Sequence, residues 1–404
     1  MNHNAVIIAS RRTPIAAINQ QLRNQTVVDL GIKAGLATIT SPALPKAITQ
    51  QIDQAFVGNC FGPGGNIARI IWQGITDQAA GASQALNLNA GAQTIDNQCA
   101  SGLSAIRLAA WAIKAQATRA ALAGGAESAT TRPLRARKAP PANNPGGARN
   151  DLPPEFYDQA PMAYWPDKDL PVLESAQLLA QHLGVGRKQI DDYAYRAHAQ
   201  ANAGVAAMDT QRNHGGIVSI SGVHVDSHPR KISRSTLQRL KPARDFAPEM
   251  TAGNTAPLAD GAAMTLVVGK DLAQQHGLGG LEVIDTVSLS CDPLLPGRGS
   301  GYAIKELLAR NGLQVADVSR FEIVQAFAVQ MLDTFAQLGL EPGSLLLQRF
   351  NPDGGTLGWG HPWGASGAIV VNQMFWHLPQ LGSLGVCAAA VAGGGGEAML
   401  LRRI

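Results

Sequence analysis

The chain of 404 residues has only four cysteines, at positions 60, 99, 291 and 387, and no Cys-x-x-Cys pair. That scarcity excludes a disulfide framework and a cysteine-built zinc site, and it fits a reducing compartment. The nine histidines show no ligand spacing either, so no metal is expected. The apolar run within residues 1–10 is too short for a signal peptide or a membrane span. Charge of one sign is also lacking: the net +4 is mild and spread along the chain. This argues against nucleic acid while suiting an anionic substrate. The expectation is a soluble, cytoplasmic protein with no nucleic-acid or membrane partner.

No segment is low-complexity, so the 44 glycines and many alanines point to close helix–sheet packing rather than disorder. Apolar runs at 5–9, 55–58 and 120–128 read as strands. Helical spacing follows a Thr26 cap as far as residue 36, and recurs at 67–74 and after residue 101. This alternation predicts an α/β fold with helices on both faces of a sheet. Residues 130–175 are rich in Pro, Arg, Asn and Gly, and amphipathic helices follow at 173–183 and 187–206, then a strand at 216–220. Roughly 129–250 therefore reads as an insertion standing over the core. From Thr251 the alternation resumes, with strands at 281–289, 321–327, 384–391 and 398–401 and a helix at 303–309. The implied division is 1–128 plus 251–279, an inserted 129–250, and a second half at 280–404.

Two stretches carry chemistry. In Thr94-Ile95-Asp96-Asn97-Gln98-Cys99-Ala100-Ser101-Gly102-Leu103, an apolar strand runs into a helix at Cys99. A thiol at a helix N-terminus meets orphan N–H groups and the positive dipole end, which ease its deprotonation. The bland alternative is a small buried hydrophobe. In Gly354-Gly355-Thr356-Leu357-Gly358-Trp359-Gly360-His361-Pro362-Trp363-Gly364, the glycines and Pro362 hold a histidine at a sharp turn before a helix through residue 374. His361 is either a structural hydrogen bonder or, paired with Cys99, a base. Near the C-terminus, Gly393-Gly394-Gly395-Gly396 offers backbone N–H groups of the kind that hold an oxyanion.

Taken in order, these pieces resemble the thiolase family of acyl-CoA acyltransferases. The likeness spans almost the whole chain. It runs through Arg12-Thr13-Pro14, Asn66-Ile67-Ala68-Arg69, Asn97-Gln98-Cys99-Ala100-Ser101-Gly102, Gly124-Gly125-Ala126-Glu127-Ser128, Leu240-Lys241-Pro242-Ala243, Thr251-Ala252-Gly253-Asn254 and Gly360-His361-Pro362-Trp363-Gly364-Ala365-Ser366-Gly367. The resemblance implies duplicated α/β halves in a five-layer αβαβα stack with a loop domain, and a homodimer or homotetramer. It implies a coenzyme A thioester as substrate and no separate cofactor. It also implies that Cys99 accepts an acyl group, that His361 activates it, and that Gly393 joins the Cys99 N–H as an oxyanion donor. Arg230, in His228-Pro229-Arg230, and Ala256, where the family has serine, would contact coenzyme A.

The departures are as informative. The family's second cysteine before the glycine run is Val391, which cannot move a proton. Cys387 lies four residues upstream, about 13 Å away along a strand. The asparagine of the family's Asn-Glu-Ala-Phe motif is Val324. A thiolate to carry the acyl group is therefore retained, while the usual α-proton base is missing. Losing one oxyanion donor costs roughly 100- to 1,000-fold in turnover. The leading expectation is an acyltransferase with an acyl-Cys99 intermediate. The alternatives are a decarboxylative or otherwise base-independent condensing enzyme, and a non-catalytic acyl-CoA-binding subunit. Trp359 and Trp363 beside His361 suggest a small or reshaped pocket.

Overall fold

The computed structural model describes residues 4–81, 86–137, 154–157, 159–210, 216–227 and 229–404. The chain opens with β1 (Ala5–Arg12), an almost wholly buried run, and the short β2 (Ala16–Ala17). Thr26 caps α1 (Val27–Ile39) through a capping box: its hydroxyl accepts the Asp29 N–H at 3.2 Å, and the Asp29 carboxylate accepts the Thr26 N–H at 2.9 Å. The helix outruns its expected end because no breaker precedes Pro42. After α2 (Lys46–Thr49) come β3 (Ile52–Gly58), α3 (Ile67–Gly81), β4 (Gly91–Ile95), α4 (Ser101–Lys114) and β5 (Ala120–Ser128). The expected stop of α3 at residue 74 is a packing site instead: a Cβ on Gly74 would sit 2.2 Å from Ile32 Cδ1 of α1.

In the inserted region β6 (Arg135–Arg137) pairs antiparallel with β7 (Glu155–Tyr157). Helices α5 (Val172–Leu183), α6 (Arg187–Thr210) and α7 (Arg234–Arg239) follow. The strand expected at 216–220 is not formed. Ile217 and Ile220 make isolated bridges to Arg12 and Val223, because left-handed residues at Gly216 and Ser221 turn the chain at both ends. A buried ion pair fixes this region to the core. Arg12 donates to both Asp226 oxygens, at 2.7 and 2.8 Å, and Asp226 also accepts the Ile15 N–H at 2.8 Å.

The core resumes with β8 (Ala259–Gly269), α8 (Lys270–Gln275), β9 (Leu281–Ser290), α9 (Gly299–Arg310), β10 (Arg320–Ile323), α10 (Ala328–Gln337), α11 (Thr356–Trp359), α12 (Trp363–His377), β11 (Leu384–Val391) and β12 (Gly395–Arg403). Strand β10 stops short of 327 because the Gln325 and Ala326 N–H groups go to the side chains of Thr356 and Gln330 rather than to a neighbouring strand. The glycine turn is likewise shorter than expected, since Gly395 and Gly396 already belong to β12.

Among the described residues one sheet runs in the order β10-β11-β12-β9-β1-β8-β5-β3-β4. Its halves repeat each other. β3·β5 and β10·β11 are parallel; β5·β8, β8·β1, β11·β12 and β12·β9 are antiparallel. The two series meet where β1 pairs antiparallel with β9. Helices α4 and α12 pack on each other between the two halves, and their side chains build the central core with Leu103, Ile106, Ile369 and Val370. α1 and α3 cover the outer face of the first half, α9 and α10 that of the second, each over its own apolar cluster. This is the expected five-layer αβαβα arrangement. No described helix is long and apolar enough to cross a membrane.

Candidate active site

The site forms where the two central helices begin. Residues 97–101 make overlapping tight turns: the Ala100 N–H donates to Asn97 O at 3.1 Å and the Ser101 N–H to Gln98 O at 3.0 Å. Gln98 takes the left-handed φ of +49°, a conformation that L-residues adopt only when their surroundings hold it. Ser101 does so, donating its hydroxyl to Gln98 O at 2.6 Å and accepting the Asn97 N–H at 2.8 Å. The turn delivers Cys99 two residues before the start of α4, just ahead of its N-cap Ala100.

His361 arrives from the other half. Gly360 adopts φ +108°, and the His361 N–H donates to Pro257 O at 2.8 Å. The approach requires glycine at 102, where a Cβ would lie 2.8 Å from Ala368 N and 2.9 Å from Gly364 O of α12. With that space free, Cys99 Sγ comes within 3.3 Å of His361 Nε2. On the far side of the ring, Nδ1 lies 2.6 Å from Ser366 Oγ. The Ser366 hydroxyl spends its single proton on Pro362 O, at 3.2 Å. In that arrangement Oγ accepts from Nδ1–H, and Nε2 is the bare nitrogen facing the thiol, the tautomer a base at this position requires.

Burial decides the charge state. It pushes the Cys99 thiol up to about 12 and the His361 imidazolium down to about 3. The acidified thiol expected from the helix N-terminus is thus corrected. Desolvation outweighs the backbone amide, and the nearby carboxylates Asp96 and Glu127 push the same way. Desolvation of both groups favours the neutral pair, thiol and imidazole, over thiolate and imidazolium.

Both side chains face an apolar cavity of about 290 Å³, lined also by Leu173, Ala256, Phe327, Trp363 and Val391. Ser175, Thr255 and Gln330 supply polar side chains there. Among the described residues, Cys99 and His361 are the titratable ones that line it. Gly393, with φ +86°, follows directly on the lining residues Val391 and Ala392. Arg230 stands apart: its guanidinium donates to Ala252 O at 3.0 Å and does not line the cavity. His228 lies outside the described residues. Val324 is buried in the central core, as is Cys387, whose thiol points to Val370 O at 3.6 Å. Trp359, expected beside His361, is also a core residue.

Two residues went unassigned in the sequence. Ser366, read there only as part of a helix start, orients His361 from five positions downstream. Glu127, read as part of a glycine-rich strand end, is buried and accepts Asn59 Nδ2 at 2.7 Å and the backbone N–H groups of Cys60 at 2.9 Å and Gly364 at 3.1 Å. It ties the loop after β3 to the start of α12. Burial lifts its carboxyl to about 7. A buried acid closing a strand was the available signal. Among the described residues no group of three or more His, Cys, Asp or Glu could hold a metal ion.

The family models "Thiolase, N-terminal domain" and "Thiolase, C-terminal domain" match residues 5–271 and 281–403. A Staphylococcus aureus protein named "Putative acetyl-CoA C-acetyltransferase VraB" is 30% identical over 99% of this chain and 100% of its own length. Among solved structures, Ascaris suum Acat5 thiolase in complex with coenzyme A superposes with a TM-score of 0.84 at 27% identity, covering 99% of this chain and 100% of that one. The Bacillus anthracis acetyl-CoA acetyltransferase also gives 0.84, at 26% identity and full coverage of both chains.

Proposed function

From the premise that the chain belongs to the thiolase family and is an acyltransferase, we propose that it carries the acyl group on Cys99. In this reading Cys99 Sγ attacks the carbonyl of a coenzyme A thioester. His361 Nε2 takes the thiol proton as the new C–S bond forms and returns it to the departing coenzyme A sulfur as the old C–S bond breaks. The products are acyl-S-Cys99 and coenzyme A. The observation that carries the reading is the 3.3 Å Sγ–Nε2 contact, oriented from behind by Ser366, inside an apolar cavity. A neutral pair suits this use, because moving one proton between adjacent groups avoids creating a lone thiolate in a dry site. Backbone N–H groups of Cys99 and Gly393 are the proposed donors to the developing oxyanion. Ala256 would touch the incoming thioester, and Arg230 would act from outside the cavity.

The second half-reaction is the weaker one. Val391 occupies the register of the family's second cysteine, and among the described residues no base other than His361 lines the cavity. Acyl transfer to an oxygen, nitrogen or sulfur acceptor, or to a carbon nucleophile that needs no strong base, fits better than Claisen condensation. The two halves separate experimentally. Labelled coenzyme A should exchange into acetyl-CoA with the wild type and not with Cys99→Ala. The α-hydrogens of acetyl-CoA should exchange with deuterated water slowly or not at all. Failure of label exchange would sink the acyl-enzyme reading.

The same reading includes the division at 1–128 plus 251–279, 129–250 and 280–404, supported by the repeated strand order. It includes a homodimer or homotetramer, supported by exposed Leu134, Phe156, Tyr164 and Trp165 in the inserted region. Light scattering of the pure protein decides the latter.

A further inference from the structure

One wall of the cavity has no part in the proton transfer. Trp363, the first residue of α12, lines the cavity beside Cys99 and His361. Its ring stacks on Phe61, centroids 4.6 Å apart and planes 30° from parallel. Phe61 is buried, and the guanidiniums of Arg132 and Arg135 lie over its ring at 5.0 and 6.0 Å. Arg135 is anchored in turn by donating to Cys60 O at 2.9 Å. One carboxylate binds both sides of the stack: Glu127 accepts the Phe61 N–H at 3.3 Å and the Gly364 N–H at 3.1 Å. The indole is thus backed by a second ring that itself carries two cations, and Glu127 ties that ring's backbone to Gly364, the residue after Trp363. The indole cannot retreat without breaking the stack.

The consequence is spatial. The reacting carbonyl must sit at Cys99, so the acyl tail and the sulfur end of its carrier lie in a cavity of about 290 Å³ of which Trp363 forms one wall. The other walls include the aliphatic Leu173, Ala256, Leu179 and Val391, and Phe327. The wall braced by a stacked ring is Trp363.

We propose that Trp363, backed by Phe61, is the specificity-determining residue that limits the site to short acyl thioesters. The inference rests on the acyl-Cys99 reading and adds the substrate class to it. Each methylene that a packed pocket cannot place is worth about 10- to 200-fold in discrimination, so the limit should be steep.

The test compares acetyl-, butyryl-, hexanoyl- and octanoyl-CoA as acyl donors, read as the rate of adduct formation in intact-protein mass spectra. The wild type should favour acetyl over octanoyl by on the order of a hundredfold or more. Trp363→Leu should cut that ratio at least tenfold. Phe61→Leu, which removes the brace without entering the cavity, should cut it by a smaller factor and serves if the first variant fails to fold. A wild type that accepts octanoyl as readily as acetyl would overturn the proposal, as would an unchanged ratio in both variants. Absence of any adduct with any donor would overturn the acyl-enzyme reading itself, and this inference with it.

Discussion

Ser366→Ala is the substitution that most sharply separates orientation from mere presence at this site. Ser366 is fully buried, and its hydroxyl is held on one side by Pro362 O and on the other by His361 Nδ1, at 2.6 Å. Alanine fits the same space and leaves the fold of α12 intact. What it removes is the acceptor for Nδ1–H. A buried donor stranded in this way costs about 1–3 kcal/mol. The imidazole can recover part of that by moving its proton to Nε2, where it would face Cys99 as a donor and be useless as a base. Either route weakens proton removal from the thiol, and 1–3 kcal/mol corresponds to about 5- to 150-fold in rate. The assay is rapid-quench acylation by acetyl-CoA across a range of donor concentrations. The expected result is a 5- to 150-fold lower limiting rate with half-saturation unchanged, because no atom of Ser366 lines the cavity. Acylation at the wild-type rate would refute the orienting role and the tautomer assigned to His361.

Three further outcomes follow from the same geometry. Burial pushes the Cys99 thiol up to about 12. Alkylation of Cys99 by iodoacetamide should therefore be slow at pH 7 and climb about tenfold per unit to pH 10 without levelling; a plateau near pH 8 would show an acidic thiolate instead. Asp226→Leu leaves Arg12 buried and unpaired and should cost about 3–5 kcal/mol in urea unfolding, most of it recovered by adding Arg12→Met; a loss under about 1 kcal/mol would show that the pair does not fasten the inserted region. Val391→Cys puts a thiol on the cavity wall and should raise α-hydrogen exchange of acetyl-CoA by at least tenfold over wild type, measured by NMR in deuterated water; no change would show that the missing cysteine is not what limits that half-reaction.

The layered fold was largely legible. Apolar runs at β1 and β5 have almost every residue buried, so their hydrophobicity is continuous and hard to miss. The errors came where tertiary contact overrides a local signal. Gly74 looks like a stop and is a packing notch against Ile32. Residues 216–220 look like a strand, yet the turns at Gly216 and Ser221 leave only single bridges. At the site, Cys99 and His361 were visible because a strand–helix turn and a glycine-rich loop are unusual places for those residues. Their contact, across 262 positions, was not legible from spacing; the family resemblance supplied it. The protonation state could not be read either. A helix N-terminus is a local feature that favours thiolate, while the desolvation that wins depends on walls drawn from α5, α12 and β11. The bracing of Trp363 by Phe61 joins the start of α12 to the loop after β3, 302 residues apart, and leaves no trace in either one.

The most direct test of the central claim is the mass of the intact protein after brief mixing with acetyl-CoA, followed by peptide mapping. The account predicts one added acetyl group on wild-type protein, located on Cys99 and absent from Cys99→Ala. An acetyl group on another residue, or equal labelling of Cys99→Ala, would contradict it.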